Sequence, residues 1–234
     1  MTTGRVNRRM VTAPPDADFD ANDTYGKVGS PYWDKQPVAI VADGPSLVGF
    51  DFERLRGATI LAVKGSIFDI PWADAGFGLD MERYAEWRDK LADVPARVYW
   101  AVPEDQLTKT GAAPPSRNVT FVKRLVGQAV SEDPSAIYGG GTSGFGALQI
   151  CLHKQAKRII LFGYDYDGSF QDNQQHDKKR AQNHENWKVW ASHFEVYVPH
   201  LNKRGVHIAN ACPASAIRCF QKVTLDDGVA MLKK

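Results

Sequence analysis

Val38-Ala39-Ile40-Val41-Ala42-Asp43-Gly44-Pro45-Ser46-Leu47 decides the fold class, because a run of small and β-branched apolar residues breaks there into a short polar turn. An apolar run without polar alternation is the pattern of a strand buried on both faces, the usual state of strands in parallel sheets. Gly44 lacks the Cβ that would stand in the way of an incoming anion, and Ser46 offers a hydroxyl. Pro45 removes one amide donor, so the segment is neither the dinucleotide fingerprint G-x-G-x-x-G nor a Walker loop. Taken alone, the turn reads equally well as a phosphate cradle or as a plain strand-to-loop corner.

A second glycine-rich segment supports the cradle. Tyr138-Gly139-Gly140-Gly141-Thr142-Ser143-Gly144 runs directly into Phe145-Gly146-Ala147-Leu148-Gln149-Ile150, an apolar, helix-like run with Thr142 or Ser143 as its natural N-cap. Such a helix start exposes unpaired N–H groups and a dipole that favours phosphate or carboxylate. The strand after it, Arg158-Ile159-Ile160-Leu161-Phe162-Gly163, ends in Tyr164-Asp165-Tyr166-Asp167. Two carboxylates therefore sit just past the carboxyl end of a parallel strand, the edge where open α/β sheets bind ligands.

Around these segments the sequence alternates strand and helix. Strands are expected at 38–42, 58–63, 77–80, 97–102, 119–122, 159–162 and 206–210, and helices at 81–91, 144–155 and 186–204. This alternation predicts an α/β fold: a single Rossmann-like, doubly wound, mostly parallel sheet with helices on both faces. Residues 1–35, rich in Asp, Pro, Asn and Gly, form an extended or flexible N-terminal arm, and 36–234 form one nucleotide-binding, transferase-like domain.

The chain of 234 residues is 43% hydrophobic and 24% charged, enough for one large α/β core. A formal charge of +2 is too small to imply nucleic-acid binding. Local clusters, Arg5, Arg8 and Arg9 in the arm and Lys178, Lys179 and Arg180 in a later loop, are either solvated charge or phosphate contacts. Cys151, Cys212 and Cys219 form no C-x-x-C pair and have no zinc spacing, so no metal is expected and a reducing cytoplasm is the simplest home. No run approaches the roughly 18–20 apolar residues of a membrane span, and no signal core follows the basic start. Trp33, Trp72, Trp87, Trp100, Trp187 and Trp190 read as packing residues rather than base-stacking platforms; Trp187 and Trp190 have the spacing of a buried helical stripe.

Residues 168–185 depart from packing logic. They hold His176, Asp177, Lys178, Lys179, Arg180 and His184 with almost no apolar residue, directly after the Asp165/Asp167 strand end. A polar loop there can close over a ligand and supply a proton-transfer group, His176 or His184. The eight-residue spacing of the two histidines does not place them on one helical face, which argues against a metal pair.

The ordered landmarks resemble a known superfamily over residues 38–226: Gly44-Pro45-Ser46-Leu47, Pro71-Trp72-Ala73-Asp74 with Asp80, Ser143-Gly144 with Ala147-Leu148, Gly163-Tyr164-Asp165, His176, and the stretch from Gly205 through Asn210 to Ser215-Ala216. They look like the phage and prophage branch of the group that holds the archaeal 6-hydroxymethylpterin diphosphokinase (MptE-like) proteins and the bacterial sialyltransferases of the Campylobacter type. The resemblance implies that Gly44, Pro45, Ser46, Thr142, Ser143 and Gly144 contact a cytidine nucleotide sugar, and that His176, with His184 as substitute, is the general base. Ser215, after Asn210, resembles a segment near the donor phosphate. Two positions depart from the family. Lys64 stands after the second strand where relatives carry an Asn that reaches the nucleotide, and Asp43 would repel a phosphate unless it meets Mg²⁺ or a ribose hydroxyl.

The expected activity is nucleotide-dependent transfer: glycosyl transfer from a CMP- or UDP-linked sugar to an acceptor hydroxyl. The alternatives are an Mg²⁺-dependent diphosphokinase with Asp165 and Asp167 placing the metal, and a phage accessory protein that binds a nucleotide without turnover. The expected nucleotide contacts are Asp43, Gly44, Pro45, Ser46, Lys64, Asp80, Gly141, Thr142, Ser143, Gly144, Asp165, Asn210 and Ser215; the expected catalytic groups are His176, His184 and Asp165. The acceptor would be a glycan, a small molecule or a hydroxymethylated DNA base, with Lys178, Lys179 and Arg180 compatible with DNA. Relatives also suggest self-association.

Overall fold

The computed structural model describes residues 25–106, 118–168 and 184–233, with only the backbone of His184 and Glu185. The strands, in chain order, are β1 (Pro37–Val41), β2 (Thr59–Val63), β3 (Ala75–Gly78), β4 (Arg97–Val102), β5 (Val119–Leu125), β6 (Ala136–Tyr138), β7 (Arg158–Phe162), β8 (His207–Asn210) and β9 (Gln221–Lys222). The helices are α1 (Ser66–Asp69), α2 (Met81–Ala92), α3 (Ser143–His153), α4 (His184–His193), α5 (Tyr197–Arg204) and α6 (Leu225–Leu232). All nine strands are parallel, in the order β6-β5-β4-β3-β2-β1-β7-β8-β9.

The alternation of side chains along each strand feeds two separate cores. Val38 and Ile40 of β1, Leu61 and Val63 of β2, and Phe77 of β3 pack with Phe145, Leu148, Ile150 and Leu152 of α3 on one face. Ala39 and Val41 point the other way, with Ile160, Phe162 and Val229 of α6, while Trp100 and Phe121 meet Tyr84, Trp87 and Leu91 of α2. Every residue of β1 and β2 is buried, as the unbroken apolar runs predict. Helix α3 is buried from Ser143 through Leu152, so it is a central helix rather than an amphipathic surface one.

Local chemistry sets the helix ends. Asp80 caps α2 by accepting from the Glu82 N–H at 3.2 Å, Thr142 caps α3 by accepting from the Phe145 N–H at 3.2 Å, and Thr224 caps α6 by accepting from the Asp227 N–H at 3.1 Å. Helix α5 stops at Gly205, whose φ of 61° is left-handed. The expected single helix over 186–204 is instead two, divided by a 3₁₀ turn at Phe194–Val196. Pro199 explains the break: it has no N–H to give to the carbonyl four residues back, so it belongs in the first turn of a new helix. Strands β6 and β9 and helices α1 and α6 lie outside the expected set, β3 covers Ala75–Gly78 rather than 77–80, and β5 runs on to Leu125.

The part of the N-terminal arm that is described, residues 25–35, is anchored. Gly26 N–H donates to the Phe121 carbonyl at 2.9 Å and Val28 N–H to the Pro134 carbonyl at 2.8 Å, and Val28 and Trp33 are buried. Lys154, itself buried, donates to the Gly29 carbonyl at 2.8 Å, with Nζ 5.3 Å from the Trp33 ring centroid. Burial lowers its pKa to about 8.

From β1 the chain steps outward to β6, then returns through α3 to β7 on the opposite side of β1. The strand order therefore reverses between β1 and β7, and the turns leaving these two strands touch. Ser46 N–H donates to Asp165 Oδ1 at 2.9 Å and Ser46 Oγ to Oδ2 at 2.8 Å. A Cβ at Gly44 would overlap the Asp165 carboxylate and the Gly163 carbonyl, so this glycine is required by the close approach of two pieces of protein. Gly44→Ala should lower stability by about 3 kcal/mol, measured by urea unfolding, because backbone on the facing turn cannot move aside as a flexible side chain would.

Candidate functional site

A cavity of about 350 Å³ opens at the carboxyl edge of the sheet. Its walls come from the β1 turn (Ala42 to Pro45), the β2 end (Val63, Lys64) and the β3 end (Leu79 to Glu82), together with Gln106 and Arg124. The start of α3 (Gly141 to Gly144), the β7 turn (Gly163, and Asp165 to Gly168), Trp187 and Trp190 complete them. From β7 to β5 this edge crosses five strand spacings, roughly 24 Å. The size and position match a ligand site at a topological switch point.

Of the expected nucleotide contacts, Asp43, Gly44, Pro45, Lys64, Asp80, Gly141, Thr142, Ser143, Gly144 and Asp165 line this cavity. Three expected contacts are elsewhere. Ser46 spends both its N–H and its hydroxyl on Asp165. Asn210 and Ser215 are buried behind the β7 turn, where Asn210 Nδ2 (3.2 Å) and Ser215 Oγ (2.6 Å) both donate to the Tyr164 carbonyl. They hold the turn rather than a ligand, a role that a sequence cannot distinguish from phosphate binding because the same donors serve both.

Asp165 also differs from its expected catalytic or metal-placing role. Both carboxylate oxygens accept from Ser46, and Cys212 Sγ lies 3.5 Å from Oδ1. Burial pushes its pKa up, the Ser46 bonds pull it down, and the Asp167 charge adds to the rise. Asp165 is a strut between the two turns. Among the described residues no three His, Cys, Asp or Glu side chains gather as a metal site. His176, Lys178, Lys179 and Arg180 lie outside the described residues, and His184 opens α4, one turn before Trp187.

The first turn of α3 offers the donors that an anion would need. Thr142 Oγ1 takes the Phe145 N–H and also pairs with the Tyr166 hydroxyl at 2.6 Å, which leaves the N–H groups of Ser143 and Gly144 as open donors. Ser143 is 4% exposed, and its Oγ is buried without a hydrogen-bond partner at the cavity wall. An unsatisfied buried hydroxyl costs about 1–3 kcal/mol, a loss that a ligand oxygen would recover once a small shift of the turn brings Oγ into reach. Gly144 is needed for packing as well as for access, since a Cβ would meet the Tyr166 hydroxyl at 2.6 Å and Tyr164 at 3.1 Å. His193 Nδ1 pairs with the Gly140 carbonyl at 2.9 Å and so holds the glycine turn from α4.

Two non-glycine residues at the cavity have left-handed backbone, Lys64 with φ of 55° and Tyr166 with φ of 54°. Each costs about 1–3 kcal/mol and is held by its surroundings, Lys64 by a 2.9 Å bond from its N–H to the Phe77 carbonyl. Arg124, at the end of β5, donates through Nη1 to the Leu79 carbonyl at 3.3 Å. Its position could be found in the sequence only by extending β5 past the apolar residues. Trp187 and Trp190, expected to be core, are half-buried and form an aromatic wall with ring centroids 5.0 Å apart at 85°.

No protein-family model and no curated protein matches the chain. Solved structures do. A Maf glycosyltransferase from Magnetospirillum magneticum AMB-1 superposes with a TM-score of 0.55 at 15% identity, over 89% of this chain and 38% of that one. The chain thus spans well under half the length of that protein. The sialyltransferase CstII from Campylobacter jejuni, solved with cytidine-5'-monophosphate, gives a TM-score of 0.44 at 14% identity over 81% of this chain and 85% of that one. The same sialyltransferase with a trisaccharide acceptor and CMP gives 0.48 at 16% identity over 81% and 86%. At these identities the likeness to the Magnetospirillum enzyme concerns the fold.

Two outcomes follow for stability. Lys64→Asn places a residue that tolerates left-handed backbone at this position, and should raise stability by about 1 kcal/mol and the melting temperature by about 2–4 °C, read by circular dichroism. For Asp165, a folded pKa above the unfolded value means that the buried carboxyl favours its protonated form. Its contribution is present below the unfolded pKa and is lost as pH rises through the folded one. Wild type should therefore gain stability relative to Asp165→Asn as pH is lowered from 7 towards 4, read as the difference in urea midpoints.

Proposed function

We propose that the chain is a nucleotide-dependent glycosyltransferase that moves a sugar from a CMP- or UDP-linked donor to an acceptor hydroxyl. The observation that carries this reading is the buried, unpartnered Ser143 hydroxyl beside the open N–H groups at the start of α3, in the cavity where the strand order reverses. In the reaction the acceptor oxygen bonds to the anomeric carbon as its proton passes to a base. The anomeric C–O bond to phosphate breaks, and its electron pair leaves with the nucleotide. The donors of α3 stabilise the charge that develops there, already oriented before the bond breaks. The resemblance in motif order supports His176 as the base, with His184 as the second candidate, and supports placement beside the phage, MptE-like and sialyltransferase-type proteins.

The half-buried wall of Trp187 and Trp190 offers aromatic surface that suits a sugar ring or a base of the acceptor. Acceptors in keeping with it are a glycan, a small hydroxylated molecule and a hydroxymethylated DNA base. Mg²⁺-dependent diphosphoryl transfer fits the donor set less well, because a Ser46 bond to each Asp165 oxygen leaves that carboxylate fewer lone pairs for a metal. A binding protein without turnover would share the cavity but not the need for a base.

A thermal-shift panel of CMP, UDP and ATP, each with Mg²⁺ and with EDTA, tests the reading. CMP or UDP should stabilise the protein equally in both conditions, and Ser143→Ala should weaken binding about 3- to 10-fold, the worth of one hydrogen bond. Stabilisation by ATP only with Mg²⁺, or by no nucleotide, would overturn it. His176→Ala should keep nucleotide binding and abolish sugar transfer or donor hydrolysis; unchanged turnover in this variant and in His184→Ala would remove the histidine base.

A further inference from the structure

The charges of the cavity are unevenly placed. Among the described residues, five acidic side chains line it, Asp43, Asp80, Glu82, Asp165 and Asp167, against two basic ones, Lys64 and Arg124. Asp43, Asp165 and Asp167 belong to the turns after β1 and β7, whereas Lys64 leaves the end of β2 and the Arg124 guanidinium is held at the end of β3. Lys64 donates its N–H to the Phe77 carbonyl, and Arg124 reaches across from β5 to donate Nη1 to the Leu79 carbonyl, two residues further on. This point lies one to two strand spacings from β1, roughly 5–10 Å along the sheet edge from the turn that holds Gly44.

The acids at the β3 end leave these cations their charge. Asp80 is occupied as the cap of α2, accepting from the Glu82 N–H at 3.2 Å. Burial lowers the Arg124 pKa, and the nearby Asp80 charge offsets part of that fall. Lys64 adds a second signal, because its left-handed backbone would be cheaper for Asn or Gly, and strain of this kind gathers at ligand clamps. A lysine presents a point charge and an arginine a planar fork, a pairing suited to an anionic oxygen cluster.

We infer that Lys64 and Arg124 bind a second phosphate of the donor, next to the one at the start of α3, so that the sugar is carried on a nucleoside diphosphate. The inference rests on the nucleotide-dependent reading above. A departing nucleoside diphosphate carries one more negative charge than a monophosphate. In this cavity the helix start can neutralise one phosphate, and the Lys64 and Arg124 side chains that line the β2 and β3 side are placed to neutralise the next. UDP- or CDP-linked sugars are therefore favoured over CMP-linked ones.

Calorimetric titration of the full chain in EDTA with CMP, CDP, UMP and UDP tests this, on wild type, Lys64→Asn, Arg124→Gln and the double variant. Wild type should bind at least one diphosphate about tenfold or more tightly than its monophosphate, as two charge-assisted contacts imply. The double variant should lose about tenfold or more for that diphosphate and less than about threefold for the monophosphate. Circular dichroism melts show whether each variant folds, and Lys64→Asn on its own gives a variant in which loss of fold is not expected. Equal binding of mono- and diphosphates by wild type, tighter binding of the monophosphates, or equal losses for both in the variants would overturn the inference while leaving the glycosyltransferase reading intact. Failure of every nucleotide to bind would overturn both.

Discussion

The paired bonds from Ser46 to Asp165 are the constraint on which the site depends. They join the turns that leave β1 and β7, the two neighbouring strands between which the chain reverses its direction across the sheet. Gly44 lets the turns approach until they touch, and the Gly163 φ of 71° lets the second turn fold back over the first. Behind them Asn210, Ser215 and Cys212 hold the same turn from the β8 side. With both strand ends fixed in this way, the cavity opens in front of the start of α3.

That cavity is not a simple cationic cradle. Its acids outnumber its bases among the described residues, and its strongest attraction for an anion comes from backbone, the open N–H groups and buried Ser143 hydroxyl of α3. Among the described residues the basic side chains, Lys64 and Arg124, stand to one side, after β2 and β5. An anion entering the cavity would meet donors at particular positions rather than a general positive field. A fold of this kind hosts many chemistries, so the functional reading rests on these groups and not on the sheet.

Much of the architecture was legible because it is written locally. The unbroken apolar runs of β1, β2 and β7 require burial on both faces, and Thr142 before an apolar run marks a helix start. Strands β6 and β9 have three and two residues, too few for a period to show. The helix expected over 186–204 gave way at Phe194–Val196 because the missing N–H of Pro199 outweighed the apolar spacing around it. Trp187 and Trp190 have the spacing of a core stripe and do pack against the main core, but from its partly buried edge, where they also line the cavity. Spacing reports which residues share a helical face and not what that face meets.

The sequence by itself determined the α/β class, the parallel strands, the capped start of α3 and the glycine turns, since each follows from hydrophobic period and backbone preference over a few neighbouring residues. Tertiary structure decided which polar groups remained for a ligand. Ser46 and Asp165 are 119 positions apart, and only their meeting in space turns a presumptive phosphate donor and a presumptive catalytic acid into partners of one another. The same holds for Arg124, which enters the site because β5 ends beside the turn after β3. Hydrogen-bonding capacity is a property of a residue, but whether it is already spent depends on what the fold brings within about 3 Å of it.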